Sequence, residues 1–432
     1  MISNRRLFLR RLGAAGAAVV ALPQRLRAQL GLQGLSAPPV PPASDVLPEE
    51  FWAELRTQFL IPRDEAFFNT GTLGSSPRVV LDAVIAHMTH VDRDIAHWDY
   101  KAGHEQYFTG YNPEEPVRAK LATLINAEPA EVALTQNATF GMNFIANGLT
   151  LGVGDEVLVM EGAHPGGRCG WELRDKRYGA NVKFVRVPPT PKDPTELIAL
   201  YENATTPQTR VWAIPHLTSG TAIRFPVNEM CRRARERGIL TVVDGAQTLG
   251  HLAIDVRAMG CDFYFSSPHK WLLAPKGTGV LYVRREALPR IWTTLASTEW
   301  DNHTAGAYRL MQYGTGNLSL LKGLDQAIDF HAAIGPKRVE ERILALADRM
   351  RDGLQRIDRV RILSSLHPGV RSATTIWGIE GKTGPFIQDA LWDRAKVRVR
   401  SMGDAGVRHC CHIYNLEEEV DRALTTIRAI AA

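Results

Sequence analysis

Cysteine is scarce: there are five in 432 residues, and the odd, thin count excludes a disulfide-stapled fold. Long apolar runs are missing as well. Past the N-terminus no stretch approaches 18 uncharged apolar residues, so the body of the chain offers no transmembrane helix. An excess of one charge is also missing once its location is read. The formal net charge is +5, but the first 28 residues hold Arg5, Arg6, Arg10, Arg11, Arg25 and Arg27 and no acid. The remainder carries 45 basic residues against 46 acidic ones, a balance that argues against a nucleic-acid surface. There is no internal repeat and no charge run. At 45% hydrophobic residues, neither wholesale disorder nor a collagen-like chain fits.

What is present starts with Asn4-Arg5-Arg6-Leu7-Phe8-Leu9-Arg10, followed by a short apolar run from Leu12 to Leu22. This pattern is similar to a twin-arginine (Tat) export signal, with Asn4 where Ser or Thr is commoner. Eleven apolar residues at ~1.5 Å rise cannot cross a ~30 Å hydrocarbon core, so no stable membrane anchor is expected. Cleavage fits after Ala28 or after Ala21. The resemblance implies the Tat translocase as a transient partner, the periplasm as destination, and a cofactor inserted before export. Residues 29–48 are Pro/Ala-rich and read as a linker.

From Glu49 onward, strand-like and helix-like patterns alternate. Strands are expected at Glu131–Thr135, Glu156–Met160, Val182–Val187, Val211–Pro215, Leu240–Asp244, Phe263–Ser266 and Gly279–Val283. Apolar strands alternating with helices predict an α/β fold with a seven-stranded, mostly parallel sheet covered on both faces. Helical stretches at Leu318–His331 and Val339–Ile357 follow. A smaller α/β part then has strands at Val360–Leu363, Ser372–Ile379, Val397–Arg400 and Arg408–Ile413, and a closing helix from Leu416. The expected organisation is a signal at 1–28, a linker at 29–48, a large cofactor-binding domain at 49–310, and a connecting helix with a small C-terminal domain at 311–432.

Three segments carry chemistry. In Asp262-Phe263-Tyr264-Phe265-Ser266-Ser267-Pro268-His269-Lys270-Trp271 a strand ends in small polar residues and a His-Lys pair. A lysine at the C-terminal edge of such a sheet can form a Schiff base with pyridoxal phosphate, while Ser267 and His269 can donate to its phosphate. Twenty-six residues earlier, Leu240-Thr241-Val242-Val243-Asp244 is a buried-looking strand ending in an acid. A carboxylate there can hold the pyridinium proton, and Gln247 can reach the ring oxygen. Thr135-Gln136-Asn137-Ala138-Thr139 follows a strand and opens a helix, the setting of an anion site.

Together these segments resemble the class V aminotransferase family of fold type I pyridoxal phosphate enzymes, in a spelling similar to the isopenicillin N epimerase-like branch. The likeness runs from Phe68-Asn69-Thr70-Gly71 to Tyr414-Asn415-Leu416-Glu417-Glu418-Glu419-Val420-Asp421. It implies Lys270 as the Schiff-base lysine, Asp244 and Gln247 as the Asp-x-x-Gln pair, and Ala138 and Thr139 as the phosphate loop. It implies that Thr315, in Gly314-Thr315-Gly316-Asn317, reaches the phosphate of a partner subunit, hence a homodimer. Arg408 corresponds to the arginine that grips the substrate carboxylate. His164 stands where the family stacks a ring on the cofactor, and Ser219 stands where an asparagine is common. The implied function is chemistry at the α-carbon of an amino acid or peptide-like amine. Epimerisation, transamination, elimination at a C–S or other β bond, and decarboxylation remain open, as does oxidative or decarboxylating tailoring of a siderophore peptide.

The family's cysteine desulfurases need a nucleophilic cysteine on a loop ahead of that arginine. No cysteine lies between Val397 and Arg408, which disfavours persulfide chemistry. Cys169, Cys231, Cys261, Cys410 and Cys411 read as structural. One rival is a metal site: His90, Asp94 and His97 share one helix face, near His87 and His104. The expectation is that no metal is held there. A scaffold without chemistry is the other rival, and intact Lys270, Asp244, Gln247 and Arg408 argue against it.

Overall fold

The computed structural model describes residues 39, 41–42, 47–97 and 116–432. The export signal expected at 1–28, His104 and most of the linker expected at 29–48 lie outside the described residues.

The chain begins with α1 (Glu49–Arg56), β1 (Ala66–Phe67), α2 (Arg78–Arg93) and α3 (Pro116–Ile125). The large sheet and its helices follow: β2 (Val132–Thr135), α4 (Ala138–Gly148), β3 (Glu156–Met160), α5 (Pro165–Tyr178), β4 (Asn181–Val185), α6 (Pro194–Ala204), β5 (Thr209–Pro215), α7 (Val227–Glu236), β6 (Leu240–Asp244), α8 (Val256–Met259), β7 (Phe263–Ser266) and β8 (Gly279–Val283). All seven expected strands are present, with ends shifted by at most two residues. Their order is β2-β8-β7-β6-β5-β3-β4, and β8 alone runs antiparallel to its neighbours. β2, β7 and β8 are buried along their whole length, as strands covered by helices on both faces must be. The parallel strands therefore end along one edge, at Thr135, Met160, Pro215, Asp244 and Ser266.

Beyond the sheet, α9 (Leu318–Ile334) and α10 (Pro336–Gln355) divide at Gly335, whose φ of 102° ends one helix before Pro336 opens the next. The rest is β9 (Val360–Ile362), β10 (Thr374–Ile379), α11 (Gly384–Ala395), β11 (Val397–Arg398), β12 (Arg400–Ser401), β13 (Val407–Cys410) and α12 (Glu417–Ala431). An antiparallel sheet of order β12-β13-β10-β9 forms here, while β11 pairs with β1 instead. The strand expected to continue to Ile413 stops at Cys410. The Asn415 side chain accepts the His412 N–H at 2.9 Å and turns the chain out of the sheet.

Two cores result. One fills the space between the large sheet and its helices. The other joins residues 47–68 with α10, α11, α12 and the small sheet, and it also takes in Trp271 and Leu273. Neutral histidines fasten the junction between them. His251 accepts the Ala373 N–H through Nε2 at 3.1 Å, His412 Nε2 meets the Trp271 carbonyl at 2.9 Å, and His331 Nε2 meets that of Gly250 at 3.3 Å. Among the described residues no helix is long and apolar enough to cross a membrane.

Candidate active site

The site lies where the C-terminal edge of the large sheet faces β12, β13 and the segment 69–74. Lys270 follows β7 in a tight turn, its N–H bonded to the Ser267 carbonyl at 3.1 Å. The segment 71–74 passes directly over that turn. Gly74 N–H donates to the His269 carbonyl at 2.9 Å, and a Cβ on Gly74 would sit 2.0 Å from the Lys270 carbonyl oxygen. Glycine is thus required there by close approach. Burial pushes the Lys270 ammonium below its ordinary 10.5; the Asp244 charge opposes this, and Arg408 and Arg400 reinforce it. A half-buried lysine held in this way exposes a neutral amine more readily, the form needed by a nucleophile or base.

Asp244 ends β6. Its Oδ1 accepts the Ala246 N–H at 2.9 Å, and a Cβ on Gly167 would fall 2.3 Å from its Oδ2. Burial raises its carboxyl above the ordinary 3.8, against the pull of that amide and of Lys270. A half-buried carboxylate in this state gains by meeting a proton-bearing nitrogen.

Two helix N-termini converge on the same edge. Ser267 Oγ accepts the Ala138 N–H at 3.0 Å and Asn137 Oδ1 accepts that of Phe140 at 3.2 Å, which leaves the Thr139 amide between them. Thr139 Oγ1 faces the first turn of α5, only 2.6 Å from where a Gly166 Cβ would be. Both helix ends present partial positive charge to an anion. His269, in the Lys270 turn, has a buried Nδ1 with no partner. Burial and then the Lys270 charge lower it to about 4, so it is neutral at pH 7. An anion beside that nitrogen would draw a proton onto it.

His164 caps α5, its Nδ1 accepting the Gly166 N–H at 3.1 Å. Burial lowers its pKa from 6.5, followed by the charges of Lys270, Arg400 and Arg408, so the ring stands among those three cations. Gln247 also has partners within the protein: its Nε2 donates to the Gly71 carbonyl at 2.9 Å and its Oε1 accepts Trp271 Nε1–H at 2.8 Å. One N–H remains for a ligand. Arg408, 3% exposed, donates to the Ser219 carbonyl at 3.0 Å, to Asn69 Oδ1 at 3.1 Å and to Thr72 Oγ1 at 2.8 Å. Ser219 thus joins the site through its backbone. Thr315 is exposed on the loop before α9 and makes no hydrogen bond to the others.

Sequence reasoning missed Arg400, Asn69 and Thr72. The alternation Val397-Arg398-Val399-Arg400 was the available signal for the first. Asn69 lies where the family likeness begins but carried no role there, and Thr72 gave no signal; both meet Arg408 across more than 330 positions. Of the cysteines expected to be structural, four are buried, whereas Cys169 is exposed on α5. His90 pairs with Asp94 at 2.7 Å, and among the described residues no three His, Cys, Asp or Glu side chains gather to hold a metal.

The residues fit pyridoxal phosphate. The converging helix ends and the orphan His269 nitrogen suit a phosphate, Asp244 suits a protonated ring nitrogen, and Lys270 suits an aldehyde. An isopenicillin N epimerase of Streptomyces clavuligerus is 29% identical over 398 residues, 88% of this chain and 98% of that protein. A probable cysteine desulfurase of Xylella fastidiosa is 30% identical over 409 residues, 87% of this chain and 94% of that one. A solved lysine variant of a C–S lyase, with glycine linked to its pyridoxal phosphate, superposes at a TM-score of 0.75, with 24% identity over 86% of this chain and 98% of that one. The aminotransferase class-V model matches residues 67–429. With the matching fold and a site that fits the cofactor, the chain belongs to the class V aminotransferase family of pyridoxal phosphate-dependent enzymes.

Proposed function

We propose that the enzyme acts at the α-carbon of an amino acid or peptide-like amine and exchanges its proton, as an epimerase-like member of the family. The observation that carries this reading is the placement of Lys270: it is half-buried, within electrostatic reach of the Asp244 carboxylate and of the Arg408 and Arg400 guanidinium groups. Pyridoxal phosphate, when bound, supplies an electrophilic aldehyde and a ring that accepts electrons from the α-carbon. Thr139, Ser267 and His269 hold the phosphate. Asp244 keeps the ring nitrogen protonated. Arg408 fixes the substrate carboxylate so that the α-hydrogen faces Lys270. The Lys270 amine, whose positive charge burial disfavours, removes that proton and returns one.

Persulfide chemistry does not suit this chain. It needs a thiol that can reach the substrate, and 397–408 has none. Cys410, the thiol beside Arg408, is fully buried, and a Cβ on Gly71 would stand 2.9 Å from its Sγ. Export to the periplasm and a homodimeric state belong to the same reading. The first is supported by the arginine pair at 5–6, the second by the exposed Thr315 loop.

The test is a purified protein given pyridoxal phosphate. A visible absorbance band should form, be bleached by borohydride, and leave the label on the Lys270 peptide. D- and L-amino acids in deuterated water should then gain deuterium at the α-carbon with loss of chirality. A keto acid product would redirect the reading to transamination, and release of a β-substituent to elimination. No band and no Lys270 adduct would overturn it.

A further inference from the structure

Arg400 and Arg408 are directly opposed across the antiparallel β12–β13 pair. Like charges in that position repel one another. Here both guanidinium groups also converge on one atom: Arg400 Nη1 lies 3.0 Å and Arg408 Nη2 2.8 Å from Thr72 Oγ1. That hydroxyl is saturated, because it donates its own proton to Asn69 Oδ1 at 2.8 Å. The two cationic nitrogens are thus held no farther apart than the sum of their distances to one oxygen.

Among the described residues nothing neutralises them. Every hydrogen bond they make goes to a neutral oxygen, on Thr72, Asn69 or Ser219, and among the described residues no carboxylate pairs with either. Arg408 also keeps a buried Nε–H with no partner. Other arginines of the neighbouring strands are satisfied locally. Arg398 lies 4.2 Å from the Trp392 ring centroid, and Arg361 pairs with Glu380. Arg408 is buried while Arg400 is exposed, so one cation faces the interior of the site and the other its mouth.

We propose that the Arg400–Arg408 pair selects a substrate with two carboxylates: the α-carboxylate goes to Arg408, and a second, carried on the side chain or farther along a peptide-like chain, goes to Arg400. This rests on the assignment of Lys270 and Arg408 above and extends it to the substrate class. A single carboxylate would leave one guanidinium uncompensated against its neighbour. A dianion cancels the repulsion and spans from the interior to the mouth.

The cofactor-loaded protein is titrated with matched pairs, aspartate and asparagine, glutamate and glutamine, and 2-aminoadipate and its ω-amide, following the cofactor absorbance. At least one diacid should bind about tenfold or more tightly than its amide, the scale of one charge-assisted hydrogen bond. In Arg400→Gln that ratio should fall toward one. Arg400→Lys should retain part of it, and Arg186→Gln, a surface arginine elsewhere, should leave it alone. Equal affinities within every pair, or an unchanged ratio in Arg400→Gln, would overturn the proposal. Calorimetry of cofactor-free protein with glutarate and butyrate separates the two readings. An Arg400-dependent preference for glutarate in a protein that forms no Lys270 adduct defeats only the function proposed above. A Lys270 adduct without that preference defeats only the dicarboxylate inference.

Discussion

The two walls of the site are built in different ways. The wall on the large sheet takes Asp244, Ser267, His269 and Lys270 from one stretch of 27 residues, where two adjacent parallel strands end. Its geometry is fixed by strand ends and by one cap, from Ala138 N–H to Ser267. The opposite wall has no local plan. Arg408 and Arg400 lie on the small sheet, Asn69 and Thr72 on the segment after β1, and the Ser219 carbonyl on the loop after β5 of the large sheet. The first wall is a motif, and the second is a convergence of hydrogen bonds between distant parts of the chain. A motif can carry cofactor chemistry unchanged between relatives. A convergence can be altered one contact at a time, so substrate choice belongs to the second wall.

The most severe way to break this contrast is Lys270→Ala. It should abolish the borohydride-reducible band and lower turnover by about 10³-fold or more, the scale of a lost acid–base group. Residual activity near wild type would remove Lys270 from the chemistry. On the other wall, Arg408→Lys keeps the charge but cannot make the three bonds that the guanidinium fork makes. kcat/KM should fall by about 10–100-fold, mainly through KM, with the cofactor band intact. A band lost along with the affinity would mean that the two walls are not separable.

What could be read from the sequence follows the same division. The seven strands, the Asp244–Lys270 spacing and the helix-opening Ala138-Thr139 were legible because period, burial and turn chemistry act within a few residues. Arg408 was legible only through its resemblance to the family. Thr72 was invisible: a threonine in a loop has no signature until the chain brings it beneath two arginines. Gln247 shows the limit from the other side. Its place in the motif points to the cofactor, and its amide is in addition held by Trp271 and Gly71, partners that no spacing rule could supply.

Gly167→Ala perturbs the first wall without removing any functional group. The added Cβ would stand 2.3 Å from Asp244 Oδ2, so the carboxylate has to move. Cofactor affinity should drop by about tenfold, one misplaced charge-assisted bond, with the diacid preference retained. The junction between the walls answers to acid. Burial holds His331 near 4, His412 near 3 and His251 well below 6.5. Because their folded pKa values are depressed, the unfolded chain binds more protons between those values and 6.5. Their stabilisation is therefore complete above pH 6.5 and is lost as pH falls toward 4 and then 3. Thermal melts should show Tm declining across that window, and His331→Asn should flatten the decline. A melt indifferent to pH between 6.5 and 4 would remove the histidines from the junction.

The smallest effect is expected at Thr72, and it tests the second wall most sharply. Thr72→Val keeps the shape but removes one donated and two accepted hydrogen bonds. Asn69 Oδ1 still accepts from Arg408 and the Ser219 carbonyl still holds Nη1, so the guanidinium stays near its place. Arg400 loses the hydroxyl that held it beside its like-charged neighbour. KM should rise about three- to tenfold with kcat nearly unchanged, and more steeply for an amino diacid than for its amide, since the second carboxylate depends on Arg400. Thr72→Ser restores the hydroxyl and should return both values toward wild type. If Val and Ser behave alike, the shared oxygen is incidental, and the two arginines are positioned by their strands alone.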